Sequence, residues 1–265
     1  MERFATLLLC LSVTSAAAEP LTDLNALAGA DVVILGEVHD NPSHHLWQAE
    51  AMLSLAPSAV VFEMLSPDQA ARITPEGLAD PEMLADVIGW SDSGWPDFEL
   101  YQPVFEALGE AAIFGAALPY GDVRAAVNDG AAALFSGDAS VFGLDQPLPD
   151  DQQTLREAMQ AEAHCNALPA ALLPVMVEAQ RLRDAGFAAR VLEALEQTGG
   201  PVVLITGNGH ARTDWAVPAM IALAAPDVAV LSIGQFESEP TEDVPFDLWR
   251  VTDPALREDP CAAFR

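Results

Sequence analysis

Two apolar runs in this chain each end in a glycine that is followed three residues later by a histidine. Residues 32–35 lead into Gly36, Glu37, Val38 and His39, and residues 201–206 lead into Gly207, Asn208, Gly209 and His210. A third apolar run, residues 59–62, ends in Glu63 and Met64. Two imidazoles and a carboxylate match the ligand set of a catalytic divalent cation such as zinc or manganese, with one position left open for water. In that chemistry His39, Glu63 and His210 would be the metal ligands and Glu37 the general base. The same imidazoles could ligate haem iron axially, as could Tyr101 or Tyr120, the two tyrosines of the chain. A single histidine after a strand is most often a satisfied loop residue. The repeated spacing after two strongly apolar runs is what gives the pair weight.

The elements that would position these residues follow from the hydrophobic pattern. Val32, Val33, Ile34 and Leu35 are the kind of run that fills a strand buried on both faces, and Gly36 allows a sharp turn after it. Asn41 and Pro42 read as N-cap and first residue of a helix that carries His44 and His45 in its first turn. His45 shares a stripe with Ala49 and Met52, so it is expected to face inward in preference to His44. Further strands are expected at residues 112–116 and 228–233, with an edge strand within FDLWRVTDP. Helices are expected from Pro67, over 81–88, 98–109, 152–162, from Pro174 through Asp184, over 187–197 and over 217–224. Alternating strands and helices predict an α/β fold, a mainly parallel sheet flanked by helices with a smaller helical subdomain. Residues 19–265 would form one domain with helical insertions at about 66–110 and 150–197.

In open parallel sheets, ligands bind outside the carboxyl ends of the strands. Glu37, His39, Glu63 and His210 would meet there, with His45 nearby. Pro119 to Gly121 end the strand at 112–116, and Asp122 would cap a helix with Arg124 in its first turn. A helix N-terminus does not call for a cation, so a bound anion or carboxylate would account for Arg124. The stretch GWSDSGWPDF holds Trp90 and Trp95, a packed surface loop or a cover for a planar ligand. A bound haem would thus engage His39, His45, His210, Tyr120 and Arg124.

Composition removes several function classes. The 265 residues carry 40 Asp and Glu against 11 basic residues, a net charge of −29, and every basic residue is arginine. Such a field repels nucleic acid and anionic membrane surfaces. Without lysine there is no Schiff base, pyridoxal-phosphate anchor or P-loop lysine. No G-x-S-x-G, H-E-x-x-H or C-x-x-C motif occurs. Residues 1–18 read as a signal peptide, with Arg3, an apolar run over 6–14 and a small-residue site at Ala16 to Ala18. Cleavage after about Ala18 would leave a periplasmic or otherwise exported chain without a transmembrane segment. It would retain two cysteines, Cys165 and Cys261, which an oxidising compartment would join, the alternative being two unrelated buried thiols.

LGEVHDNPSHH, VVFEM, EAHC with LP after it, AQRLRDAGFA, GNGHARTDWAVP and the closing DPC together resemble the ChaN-like haem-binding proteins. That family belongs to a wider superfamily that includes the Tiki proteases and resembles the erythromycin esterases. The resemblance covers nearly all of the chain after the signal peptide. It implies a parallel α/β domain with a smaller helical part, export, and a role in haem or iron uptake by binding and handover. In the wider superfamily the corresponding turns are metal-binding or catalytic, which by motif position points to Glu37, His39, Glu63 and His210. The alternative function is a divalent-metal-dependent hydrolase of amide or ester bonds. The partner expected is haem or another small molecule, and a homodimer is an admissible assembly. Arg124 and Arg212 would locally offset the negative charge that opposes propionate-bearing haem.

Overall fold

The structure is a computed structural model that describes residues 18–259, 261 and 262. The signal peptide expected at residues 1–18 lies, apart from Ala18, outside the described residues. Seven strands form one sheet: β1 (Glu19–Pro20), β2 (Val32–Glu37), β3 (Ala59–Phe62), β4 (Ala112–Gly115), β5 (Val202–Gly207), β6 (Val230–Phe236) and β7 (Leu248–Val251). Their spatial order is β1-β7-β6-β2-β5-β3-β4, and every pairing is parallel. The FDLWRVTDP segment supplies β7, the strand expected there.

The β2–β3 crossover is α1 (Pro42–Leu55), whose first turn is closed by the Asn41 side chain accepting from the Ser43 N–H. Four helices precede β4: α2 (Pro67–Ala70), α3 (Pro75–Leu78), α4 (Pro81–Ile88) and α5 (Phe98–Glu106). Between β4 and β5 lie α6 (Tyr120–Asp129), α7 (Ala131–Leu134), α8 (Asp150–Ala163) and α9 (Leu173–Thr198). The short α10 (Asn208–Ala211) and α11 (Val217–Ala224) lead to β6. The two helices expected between Pro174 and Gln197 are one continuous α9. Gly186 does not interrupt it, because the space its missing side chain leaves is filled by Leu118, whose Cδ2 would lie 3.0 Å from a Cβ there.

Alternation along the strands builds two cores. Val33, Leu35, Val60, Phe62, Val203 and Ile205 face one way, against Met52 of α1 and Tyr101 and Phe105 of α5. Val32, Ile34, Val61, Val202 and Leu204 face the other, against Leu182, Ala185 and Val191 of α9 and Ile221 of α11. Burying each large aliphatic side chain contributes about 1.5–3 kcal/mol, so this double-sided sheet is the rigid part of the molecule. The helices of 66–110 and of 150–197 therefore belong to opposite layers. Cys165 and Cys261 are joined by a disulfide, as expected, across 96 residues.

The register brings the chemistry to one edge. β2 pairs with β5 so that Gly36 lies opposite Thr206 and Glu37 opposite Gly207, and β3 enters the same edge with Phe62 opposite Ile205. Gly36 is thus a strand residue and not the turn expected of it. Its smallness serves close approach: a Cβ there would lie 2.5 Å from Asn208 Oδ1 and 2.9 Å from the Ile233 carbonyl.

Candidate functional site

Glu37, at the end of β2, is 2% exposed and is enclosed by donors. The Tyr101 hydroxyl donates to Oε1 at 2.6 Å and Gln48 Nε2 to Oε2 at 2.8 Å. His39 Nδ1 lies 2.8 Å from Oε1, and His45 Nε2 lies 3.5 Å from Oε2. Burial opposes the charge, but the hydrogen bond with His39 and the proximity of the His45 and His39 rings prevail and hold the carboxyl below the usual range. The effect on His39 is reciprocal. Burial lowers its pKa, yet the bond to Glu37 and the charges of Glu63, Glu37 and Asp40 raise it to about 9. Tyr101 is pushed up by burial and by the Glu37 carboxylate, which keeps its proton on the phenol.

A second pair stands across the sheet edge. His210, in α10, meets Asp184 of α9 at 2.6 Å through Nδ1, and Asp184 Oδ2 also lies 3.4 Å from Arg156 Nη2 of α8. Burial acts against the His210 charge, but Glu63 and Asp184 raise its pKa overall. Between the two pairs sits Glu63. Its Oε2 accepts from the Thr206 hydroxyl at 2.6 Å and the Gly207 N–H at 2.8 Å, and its Oε1 lies 3.6 Å from His210 Nε2. Burial raises the Glu63 pKa, while His210, His39 and these hydrogen bonds bring it below the ordinary value. The floor is one carboxylate between two imidazole rings, each with Nδ1 on a carboxylate and a pKa raised from its ordinary value.

Glu63 opens into a cleft of about 410 Å³ lined also by Met64, Trp95, Leu118, Tyr120, Arg183 and Phe187. Each aromatic wall is backed by a floor histidine: Trp95 meets His39 edge-on at 4.8 Å and Phe187 meets His210 at 4.9 Å. Tyr120 starts α6 at the rim and is 77% exposed. Arg183 supplies the cation; burial lowers its pKa, and the charges of Glu63 and Asp184 oppose that.

The remaining expected site residues fall elsewhere. His45 is fully buried behind Glu37, its ring tilted against Tyr101 with centroids 4.1 Å apart, and both ring nitrogens lack a hydrogen bond. His44 is buried as fully as His45, although the helical stripe favoured His45 for the inward position. Its Nδ1 accepts the Val38 N–H and its Nε2 meets the Thr252 hydroxyl, and burial lowers its pKa to about 4. Tyr101 is sealed inside the core cluster. Trp90 is buried too, donating to the Pro96 carbonyl, so only Trp95 reaches the cleft. Asp122 does not cap α6, which begins at Tyr120 after Pro119, so Arg124 moves into the second turn and is exposed. Arg212 is bound to Asp214 and lies 3.8 Å over Trp215. Glu37 has no room to act as a base, because both its oxygens are taken. Among the described residues no group of three His, Cys, Asp or Glu is placed to hold a metal ion. His39, Glu63 and His210 share the sheet edge but are not among any such group, and each ring has its Nδ1 on a carboxylate.

Arg183, Asp184 and Gln48 are site residues that the sequence motifs do not mark. Arg183 and Asp184 sit in the quoted AQRLRDAGFA segment, but as neighbours on a long helix they look like a solvated face.

Comparison with solved structures finds the same fold in ChaN of Campylobacter jejuni, solved with cofacial haem binding. The TM-score is 0.62 at 19% identity, over 85% of this chain and 89% of that one. The type III effector HopBA1 is similar with a TM-score of 0.50 at 12% identity, over 92% of this chain and all of the other. Comparison with curated proteins finds no match. A family model described as "Haem-binding uptake, Tiki superfamily, ChaN" matches residues 24–221, so the chain belongs to that family.

Proposed function

We propose that this protein binds haem in the cleft between Trp95 and Phe187, and that it serves haem or iron uptake as an exported carrier. The observation that carries the reading is Tyr120, a phenol left exposed at the rim of an aromatic-lined cleft with an arginine in its wall. A phenolate oxygen is a haem-iron ligand, and a guanidinium suits a propionate carboxylate. Trp95, Phe187, Met64 and Leu118 offer the apolar surface that a planar macrocycle needs. His39 and His210 each have Nδ1 on a carboxylate and stand behind the aromatic walls, so Tyr120 at the rim is the iron ligand in this reading. When bound, haem supplies the iron; the chain supplies orientation, countercharge and partial exclusion of water. Membership of the family and the fold shared with ChaN support this reading. Among the described residues no assembled metal-ligand group supports the hydrolase alternative.

A Soret titration of the protein with haemin tests the proposal. Tyr120→Phe is expected to weaken binding by at least about tenfold and to shift the band, since one ligand bond is lost while packing is retained. Arg183→Gln should weaken binding less, by a few-fold. Saturable binding that Tyr120→Phe leaves unchanged would remove Tyr120 from the site, and no spectral change in the unaltered protein would end the haem reading.

A further inference from the structure

The haem reading uses the rim, walls and floor of the cleft and leaves the carboxyl tail unexplained. Residues 252–259 form no helix or strand, yet they are pinned along their length. The Thr252 hydroxyl meets His44 Nε2 at 2.9 Å, and Asn41 Nδ2 donates to the Asp253 carbonyl at 3.0 Å and to Glu237 at 2.7 Å. The Ala255 N–H donates to Glu237 at 2.9 Å. Arg257 donates to both oxygens of Asp40, at 2.6 and 2.7 Å, and to both of Glu237. Asp40 and Asn41 directly follow His39, so the tail grips the turn that carries one floor histidine.

The far end of the tail reaches the other histidine. Cys261 is bonded to Cys165, at the corner between α8 and α9. Those two helices hold Arg156 and Asp184, and Asp184 is the partner of His210. The corner itself is strained: Cys165 and Asn166 have φ of 58° and 55°, a left-handed conformation that asparagine tolerates and cysteine disfavours. Both cysteines are half-buried, so the bond is within reach of a soluble reductant.

We propose that the tail is a redox-releasable strap. With the disulfide intact, it holds the α8–α9 corner and the His39 turn at a fixed separation and so fixes both sides of the floor. Thiolate attack by a dithiol breaks the S–S bond; the two cysteine sulfurs take two electrons and two protons, and the dithiol becomes a disulfide. The corner then relaxes, the tail loses its anchor, and the cleft gives up its ligand more readily. That last clause rests on the haem reading.

The test compares the oxidised protein, the protein reduced with dithiothreitol, and the Cys165→Ser/Cys261→Ser variant. Amide hydrogen exchange is the first readout and haem transfer to apomyoglobin the second. Reduction and the double variant should each speed exchange at residues 38–44 and 160–180 by at least about tenfold while residues 59–62 and 202–206 keep their protection. Haem transfer should also quicken by about tenfold. Arg257→Gln in the oxidised protein should free residues 38–44 and leave 160–180 protected. Exchange at 38–44 that ignores reduction overturns the strap, and so does acceleration that spreads equally through the strands. Faster exchange with unchanged haem transfer overturns the release step. A protein that takes up no haem fails the haem reading, while exchange alone still decides the strap.

Discussion

His39 takes its carboxylate from two residues away, whereas His210 takes its carboxylate from a helix 26 residues back in the chain. The two pairs have the same local arrangement, Nδ1 on a carboxylate and Nε2 toward the floor side, but different support. Glu37 is built into a strand and satisfied by Tyr101 and Gln48 in addition to its histidine. Asp184 is shared between His210 and the 5% exposed Arg156, and Arg156 has no way to lose its charge. The first pair is redundantly held; the second depends on one side chain.

Removing that side chain should have the largest effect. Asp184→Ala strands Arg156 as a buried unpaired cation and is expected to cost about 3–5 kcal/mol, read as a drop in denaturation midpoint at constant m-value. Glu37→Gln should cost less, about 1–3 kcal/mol, because the amide oxygen still accepts from Tyr101 and His39 can lose its proton. An equal or reversed order would mean that the two pairs do not differ in the way their contacts imply.

The smallest effect is a pH dependence. The folded pKa of His39 is raised to about 9 from an ordinary 6.5, so its contribution to stability is complete below the unfolded value and is lost as pH rises through about 9. Glu37 behaves oppositely: its depressed folded pKa contributes stability above its ordinary 4.5, which is lost as the solution is acidified below that. Ring-proton resonances of His39 should titrate near 9 and those of His44 near 4. A His39 midpoint close to 6.5 would show that the Glu37 bond is not formed in solution.

How far the site could be read from sequence follows from how local each signal is. Residues 32–35, 59–62 and 202–206 were legible as strands because continuous apolar runs fit strands buried on both faces, and the exits at Glu37, Glu63 and His210 followed. The extra strand residues Gly36 and Glu37 were not, because only their register with Thr206 and Gly207 extends β2. Arg124 was misplaced because α6 starts at Tyr120, three residues before the start at residue 123 that an Asp122 cap would give, so Arg124 falls in the second turn instead of the first. Arg183 took the position by the cleft that Arg124 was expected to hold. His44 is buried by Thr252, more than 200 residues away, which no helical periodicity can report. The Asp184 pairing is equally non-local.

Leu118 seated on Gly186 has a consequence for how binding would respond to solution conditions. That contact is wholly apolar and holds the segment leading to Tyr120, so the position of the rim is indifferent to ionic strength. The floor, by contrast, is an arrangement of charges within a chain of net charge −29, and salt reaches it through the surrounding field. Added salt therefore acts on the cleft by screening that outer field, since Glu37, Glu63, Asp184 and His210 are themselves buried.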